Sequence, residues 1–156
     1  MTLPTATTVR AAFATSLTAG LTGWRQSVFQ PGQIGRDGGP SSGRVWSVEI
    51  GATTVLEGRH RVKSGAGYTT EPFQVEDEIV VRWLLEIRGD AAVSDYAAGV
   101  ATDALILKTL YTGANALTCA GFNTPIFVDS TRELAGDGAY LVGAMRFTVR
   151  RPFGLP

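Results

Sequence analysis

Few residues in this chain have the types and spacing that chemistry needs. Asp77 is followed nine residues later by Glu86-Ile87-Arg88. That loosely imitates a metal-dependent nuclease, in which an Asp on one strand and a Glu-x-Lys on the next hold Mg²⁺ and position a water. Here both pieces fall on one strand and, by parity, on its opposite faces. The lysine is also replaced by an arginine, which does not give up its proton to act as a base. Gly32, Gly35, Gly38 and Gly39 lack the Lys-Ser/Thr of a phosphate-binding loop and do not lead from a strand into a helix. Gly39-Pro40-Ser41-Ser42-Gly43 has the outline of a serine elbow, but Pro40 spoils the strand–turn–helix and the single histidine, His60, stands alone. Cys119 is also single, which excludes an internal disulfide and fits a reducing compartment. No catalytic residue, metal or cofactor is expected.

The elements that would position such residues are clearer than the residues. Pro4 and Thr5 suit a helix start, and Val9, Phe13, Leu17 and Leu21 recur every four residues, so a helix is expected over 5–21 with Gly20 and Gly23 ending it. Residues 31–43 form a Gly/Pro/Ser-rich loop. Two strands joined around Gly51-Ala52 are expected between Arg44 and Val62, then a second flexible loop at 63–72. In 75–88, Ile79, Val81, Trp83, Leu85 and Ile87 share one face, with Arg82, Glu86 and Arg88 on the other, the pattern of a half-buried strand.

After a turn at Gly89-Asp90, with Asp90 or Ser94 as cap, one helix is expected over 93–111. Its core face would be Val93, Ala97, Val100, Ala104, Leu107 and Tyr111. Residues 117–134 read as irregular apart from a short strand at 126–128. A turn at Gly136-Asp137-Gly138 leads into a closing strand that alternates Leu141, Met145, Phe147 and Val149 with Arg146, Thr148 and Arg150. The fold class is α+β: one mixed or antiparallel sheet packed on two main helices, with extended loops, in a single domain over 1–156. Trp46 and Trp83 read as core or subunit-interface anchors. A base-stacking platform would want basic neighbours, and the segment around Trp83 is acidic.

Bulk properties narrow the function further. The 156 residues are 44% apolar and only 18% charged, a surface poor in charge that suits coverage by neighbours. No run approaches the roughly 18 apolar residues of a membrane span, and with Arg10 interrupting the N-terminal segment no signal peptide is expected. Fourteen basic and fourteen acidic residues cancel, but they are segregated. Residues 25–63 carry six basic against three acidic groups, and residues 71–95 carry seven acidic against two basic. Opposite blocks suit head-to-tail association of identical subunits. The contact candidates are Arg36, Arg59, Arg61, Lys63 and Tyr68 on one side, and Glu76 and Glu78 on the other.

The order of these elements resembles the tail terminator proteins of long-tailed bacteriophages, over roughly residues 5–153. The opening amphipathic helix (Val9, Phe13, Leu17), the strand Ile79–Ile87, the Ala-rich helix from near Ser94 and the closing strand Tyr140–Val149 stand in that family's order. The Gly-rich stretch 31–43 is longer than such proteins usually carry. The resemblance implies a small α/β virion protein, assembled in the host cytoplasm, that forms a ring of six copies on the finished tail tube. Its partners would be itself, the tail tube protein and a neck or connector protein, with nonspecific contact to DNA in the lumen and none to a membrane. The alternatives are another head–tail joining protein of the neck, or a nuclease-like enzyme.

Overall fold

A computed structural model describes residues 3–27, 43–56, 61–64, 67–70 and 73–153. The chain begins with helix α1 (Ala6–Gly20), capped by Thr5 in a reciprocal box with Thr8. The four-residue stripe expected from sequence is the buried one: Val9, Phe13, Leu17 and Leu21 all face the core. Strands β1 (Arg25–Gln26), β2 (Arg44–Val55), β5 (Phe73–Glu86), β7 (Tyr140–Phe153) and β6 (Ile126–Ala135) lie in that spatial order in one five-stranded sheet. β1 runs parallel to β2 and every other pair is antiparallel, so the sheet is mixed. Strands β3 (Arg61–Ser64) and β4 (Gly67–Thr70) pair separately as a two-stranded ribbon. Helices α2 (Ala92–Val100) and α3 (Thr102–Tyr111) complete the α+β fold.

The alternation in β5 and β7 explains why these strands form the sheet's centre. They pair over their whole length, from Phe73 opposite Phe153 to Glu86 opposite Tyr140. Ile79, Val81, Trp83 and Leu85 on β5 and Leu141, Met145, Phe147 and Val149 on β7 then make one apolar surface, joined by Trp46 and Val48 of β2. The helices pack on that surface. Phe13 of α1 meets Phe147 edge-on with ring centroids 5.4 Å apart. Gly143 stands opposite Trp83, and a Cβ there would collide with the indole ring, so glycine makes room for tryptophan.

Several expectations need correction. Gly51-Ala52 is not a turn between two strands: β2 runs through it with a bulge between Ile50 and Thr53, where Gly51 passes close to Glu78. The stretch 63–72 is not wholly a loop, since β3 and β4 extend into it with Ser64 opposite Gly67. The strand expected at 126–128 is ten residues long and ends in a hairpin turn, whose Gly136, Asp137 and Gly138 all have positive φ.

The single helix over 93–111 is two helices, broken at Ala101, and α2 starts from Ala91 with no side-chain cap from Asp90 or Ser94. Its buried face is also not the expected one. Asp95, Gly99, Thr102, Asp103, Ile106, Thr109 and Leu110 face inward, while Val93, Ala97, Val100, Ala104 and Tyr111 are exposed. Asp95, Thr102 and one oxygen of Asp103 find hydrogen-bond partners, which offsets the cost of burying them. The expected loop at 31–43 lies outside the described residues except for Gly43.

Candidate functional site

The nuclease-like constellation does not assemble. Asp77 is on the core face of β5 with both oxygens occupied. Arg151 donates from Nε at 2.5 Å and from Nη2 at 3.2 Å, and the Thr53 hydroxyl donates at 2.6 Å. Arg151 also donates to the Pro4 carbonyl at 3.1 Å, which ties the start of α1 to the last strand. Glu86 lies on the other face, so the two carboxylates share no site. Arg88 pairs with Asp95 rather than with Glu86: Asp95 accepts from the guanidinium at 2.9 and 3.0 Å and from the Arg88 backbone N–H at 3.0 Å. The guanidinium bonds, then the backbone bond, hold the Asp95 carboxyl down at a pKa of about 2.

A third buried carboxylate, Asp103, accepts from Trp83 Nε1 at 2.9 Å, joining α3 to the middle of the sheet. Its Oδ2 has no hydrogen-bond partner, and Arg132 of β6 stands 3.8 Å from it. Parity in the sequence signalled the burial of one carboxylate and one arginine, though not their pairing. Asp77 and Arg151 are charges in phase with the apolar rows of their strands, which marks them as buried. Among the described residues no group of three or more His, Cys, Asp or Glu gathers as a metal site. A cleft of about 330 Å³ between α1 and residues 114–118 is lined by Ala12, Thr15, Ser16, Ala19 and Asn115, none of them charged.

The contact candidates named from charge separate by place. Arg36 and Arg59 lie outside the described residues. Arg61, Lys63 and Tyr68 belong to the β3–β4 ribbon, where Lys63 stands opposite Tyr68. Glu76 and Glu78 are on the outer sheet face, each already beside an arginine of β7: Glu76 with Arg150 at 3.0 Å and Glu78 with Arg146 at 3.7 Å. Arg146 also pairs with Asp129 of β6, whose carboxyl it holds below the usual range through its hydrogen bonds. Glu49 and Arg82, 3.2 Å apart, extend this face toward β2. It is a mixed ladder of charges, satisfied within the chain.

The surface that charge reasoning missed is apolar. β6 is the last strand of the sheet and has a neighbour on one side only. Ile126, Phe127, Val128 and Leu134 on it are exposed. α2 and α3 run beside it: the Val100 carbonyl accepts from Arg132 at 2.8 Å, and the Tyr111 hydroxyl donates to the Pro125 carbonyl at 2.8 Å. Of the helix stripe expected in the core, Leu107 alone packs there, Val100 and Tyr111 lie at this edge, and Val93 is exposed, as is Tyr96 beside it. The stripe was visible in the sequence; its assignment to the interior was the error.

No family model and no curated protein matches the chain. A solved structure similar to it is described as the virion of a native gene transfer agent (GTA) particle. The two are 16% identical, with 92% of this chain and 94% of that one covered and a TM-score of 0.48, a level that does not establish a shared fold.

Proposed function

We propose that the chain is a structural subunit of a virion, a tail terminator that sits as a ring of six copies on the completed tail tube. In this reading the ring ends tube polymerisation and presents the surface that receives the head. The observation that carries it is the open flank of β6, α2 and α3. A ten-residue edge strand with exposed apolar side chains is a liability for a free monomer and an asset for a subunit that is covered on assembly. The element order, with an opening helix, long central strands, a helical segment and a closing strand, agrees with the resemblance found in the sequence.

The partners are further copies of the chain, the tail tube protein and a neck or connector protein. DNA passing through the lumen would be met electrostatically, without sequence readout. Arg36, Arg59, Arg61, Lys63 and Tyr68 remain candidates for these contacts. Glu76 and Glu78 join them only by exchanging their β7 arginines for a partner's. The length of the Gly-rich stretch 31–43 favours a second reading, another component of the neck.

Electron microscopy of a phage lacking this gene tests the proposal. Unjoined heads beside tails of abnormal length are expected. Tails of normal length already attached to DNA-filled heads would end it. Tails of normal length with unjoined heads would favour the neck component.

A further inference from the structure

The two edges of the five-stranded sheet are finished differently. At β2, β1 covers the first residues, Arg10 Nε occupies the Val48 carbonyl at 2.8 Å, and a bulge breaks the register after Ile50. Only the segment past the bulge, Gly51–Val55, is exposed along its length, with β5 on one side. β6 has a bulge of its own, between Phe127 and Asp129, but no cover: among the described residues nothing hydrogen-bonds to its outward edge. Past the bulge, over 129–135, its backbone donors and acceptors stay open to a partner strand.

The exposed side chains of this flank are large. Val93 is 88% exposed, Ile126 59% and Leu134 58%, with Tyr96, Val100, Tyr111, Phe127 and Val128 beside them. Phe127 and Leu134 stand opposite Phe147 and Leu141 on the helix side of the sheet and Ile126 stands opposite Thr148 on the other side, so the exposed apolar groups flank the strand edge on both faces. Of the charges on β6, Arg132 is committed to Asp103 and Val100, and Asp129 to Arg146.

We infer that this flank docks a second copy of the same chain, taking the Gly51–Val55 end of that copy's β2 as an added strand beside β6. The inference rests on the ring reading and specifies its subunit contact. The β2 end brings apolar residues of its own, Ile50, Val55 and Leu56, all exposed. It also lies at the opposite edge of the same sheet, so one contact repeated head to tail uses both open edges of every copy, as ring closure requires. Pairing β6 with another β6 about a two-fold axis is poorer. Centred on Thr131 it sets Asp129 against Glu133, and centred on Arg132 it sets two guanidinium groups together.

The test uses two blocked variants of the full chain, Val128→Lys on β6 and Val55→Lys on β2, followed by sedimentation velocity. Both positions are exposed, so thermal melting should match wild type and confirm folding. Each variant alone should associate at least about tenfold more weakly than wild type, because a lysine is buried there without a partner. An equimolar mixture should recover 1:1 dimers and nothing larger, since each variant keeps one intact edge. A mixture that stays monomeric where wild type associates would overturn the inference. So would loss of association in Val128→Lys alone, which points to β6 pairing with itself, or a wild-type chain that is monomeric at about 1 mM. The ring reading fails separately. Variants that still cap tails normally would remove this contact and leave the terminator proposal standing.

Discussion

At Asp77 two carboxylate oxygens are shared among three donors, from Arg151 and Thr53, and the pair is almost fully buried. Its net worth against an apolar replacement is small, but removing one partner strands the other. Asp77→Asn should therefore cost about 3–5 kcal/mol in chemical denaturation. The double variant Asp77→Asn/Arg151→Met should lie closer to wild type than Asp77→Asn does. If the single change is neutral, the guanidinium has another partner. Asp95 gives a pH signature. Its folded pKa of about 2 lies below the ordinary 3.8, so its contribution is complete above the ordinary value and is lost as pH falls toward 2. The difference in melting temperature between wild type and Asp95→Asn should shrink across that window; a constant difference would mean that the Arg88 contact is absent in solution. In the sequence Asp77 was readable as a charge inside an apolar pattern, whereas Asp95 lay off the expected apolar stripe of its helix. Their partners were not readable, because the partner of Asp77 depends on the register of two strands separated by the whole second half of the chain.

The helical segment 92–111 shows where periodicity stops deciding at the scale of an element. Two stripes fit a 3.6-residue period here, and the more apolar one, Val93–Val100–Tyr111, is the exposed one. The inward stripe contains Gly99, over which Leu141 of β7 packs so closely that any Cβ would collide. It also contains Asp95, Thr102 and Asp103, whose burial is offset by hydrogen bonds with Arg88, the Ala98 carbonyl and Trp83, and, for the second Asp103 oxygen, by the Arg132 guanidinium 3.8 Å away. A hydrophobicity count ranks these residues as surface. The sheet ranks them as core, since close approach and matched polar groups outweigh one or two valines. Gly99→Val should thus destabilise by about 1–3 kcal/mol through overpacking. Val93→Ser should stay within about 0.5 kcal/mol of wild type. Reversed magnitudes in a denaturant titration would show that α2 sits the other way round. By contrast, α1, β5 and β7 were readable in the sequence because their apolar stripes and their buried faces coincide.

For the whole molecule, the question is which surface makes copies of the chain meet. The linear charge blocks suggested an electrostatic contact, yet in three dimensions Glu76, Asp77 and Glu78 on β5 are neutralised by Arg150, Arg151 and Arg146 from β7. Neither strand could reveal this alone, since pairing across the sheet brings together residues about 70 apart in sequence, as the 74-residue separation of Glu76 and Arg150 shows. Once those charges are paired, the apolar flank and the strand edge beneath it stand out among the described residues. The two driving forces respond oppositely to salt. Attraction between exposed charge blocks is screened as the Debye length shortens, so it should weaken many-fold between about 0.05 M and about 0.5 M salt. Burial of apolar surface with strand addition is insensitive to sodium chloride and is strengthened by sulfate. Self-association measured by sedimentation should therefore hold steady across sodium chloride and tighten in ammonium sulfate. In the same series, Arg61→Glu should change it little and Val128→Lys should abolish it. Dissociation on raising sodium chloride, with Arg61→Glu as the damaging change, would return the contact to the charge blocks and leave the β6 flank for the tube or the neck.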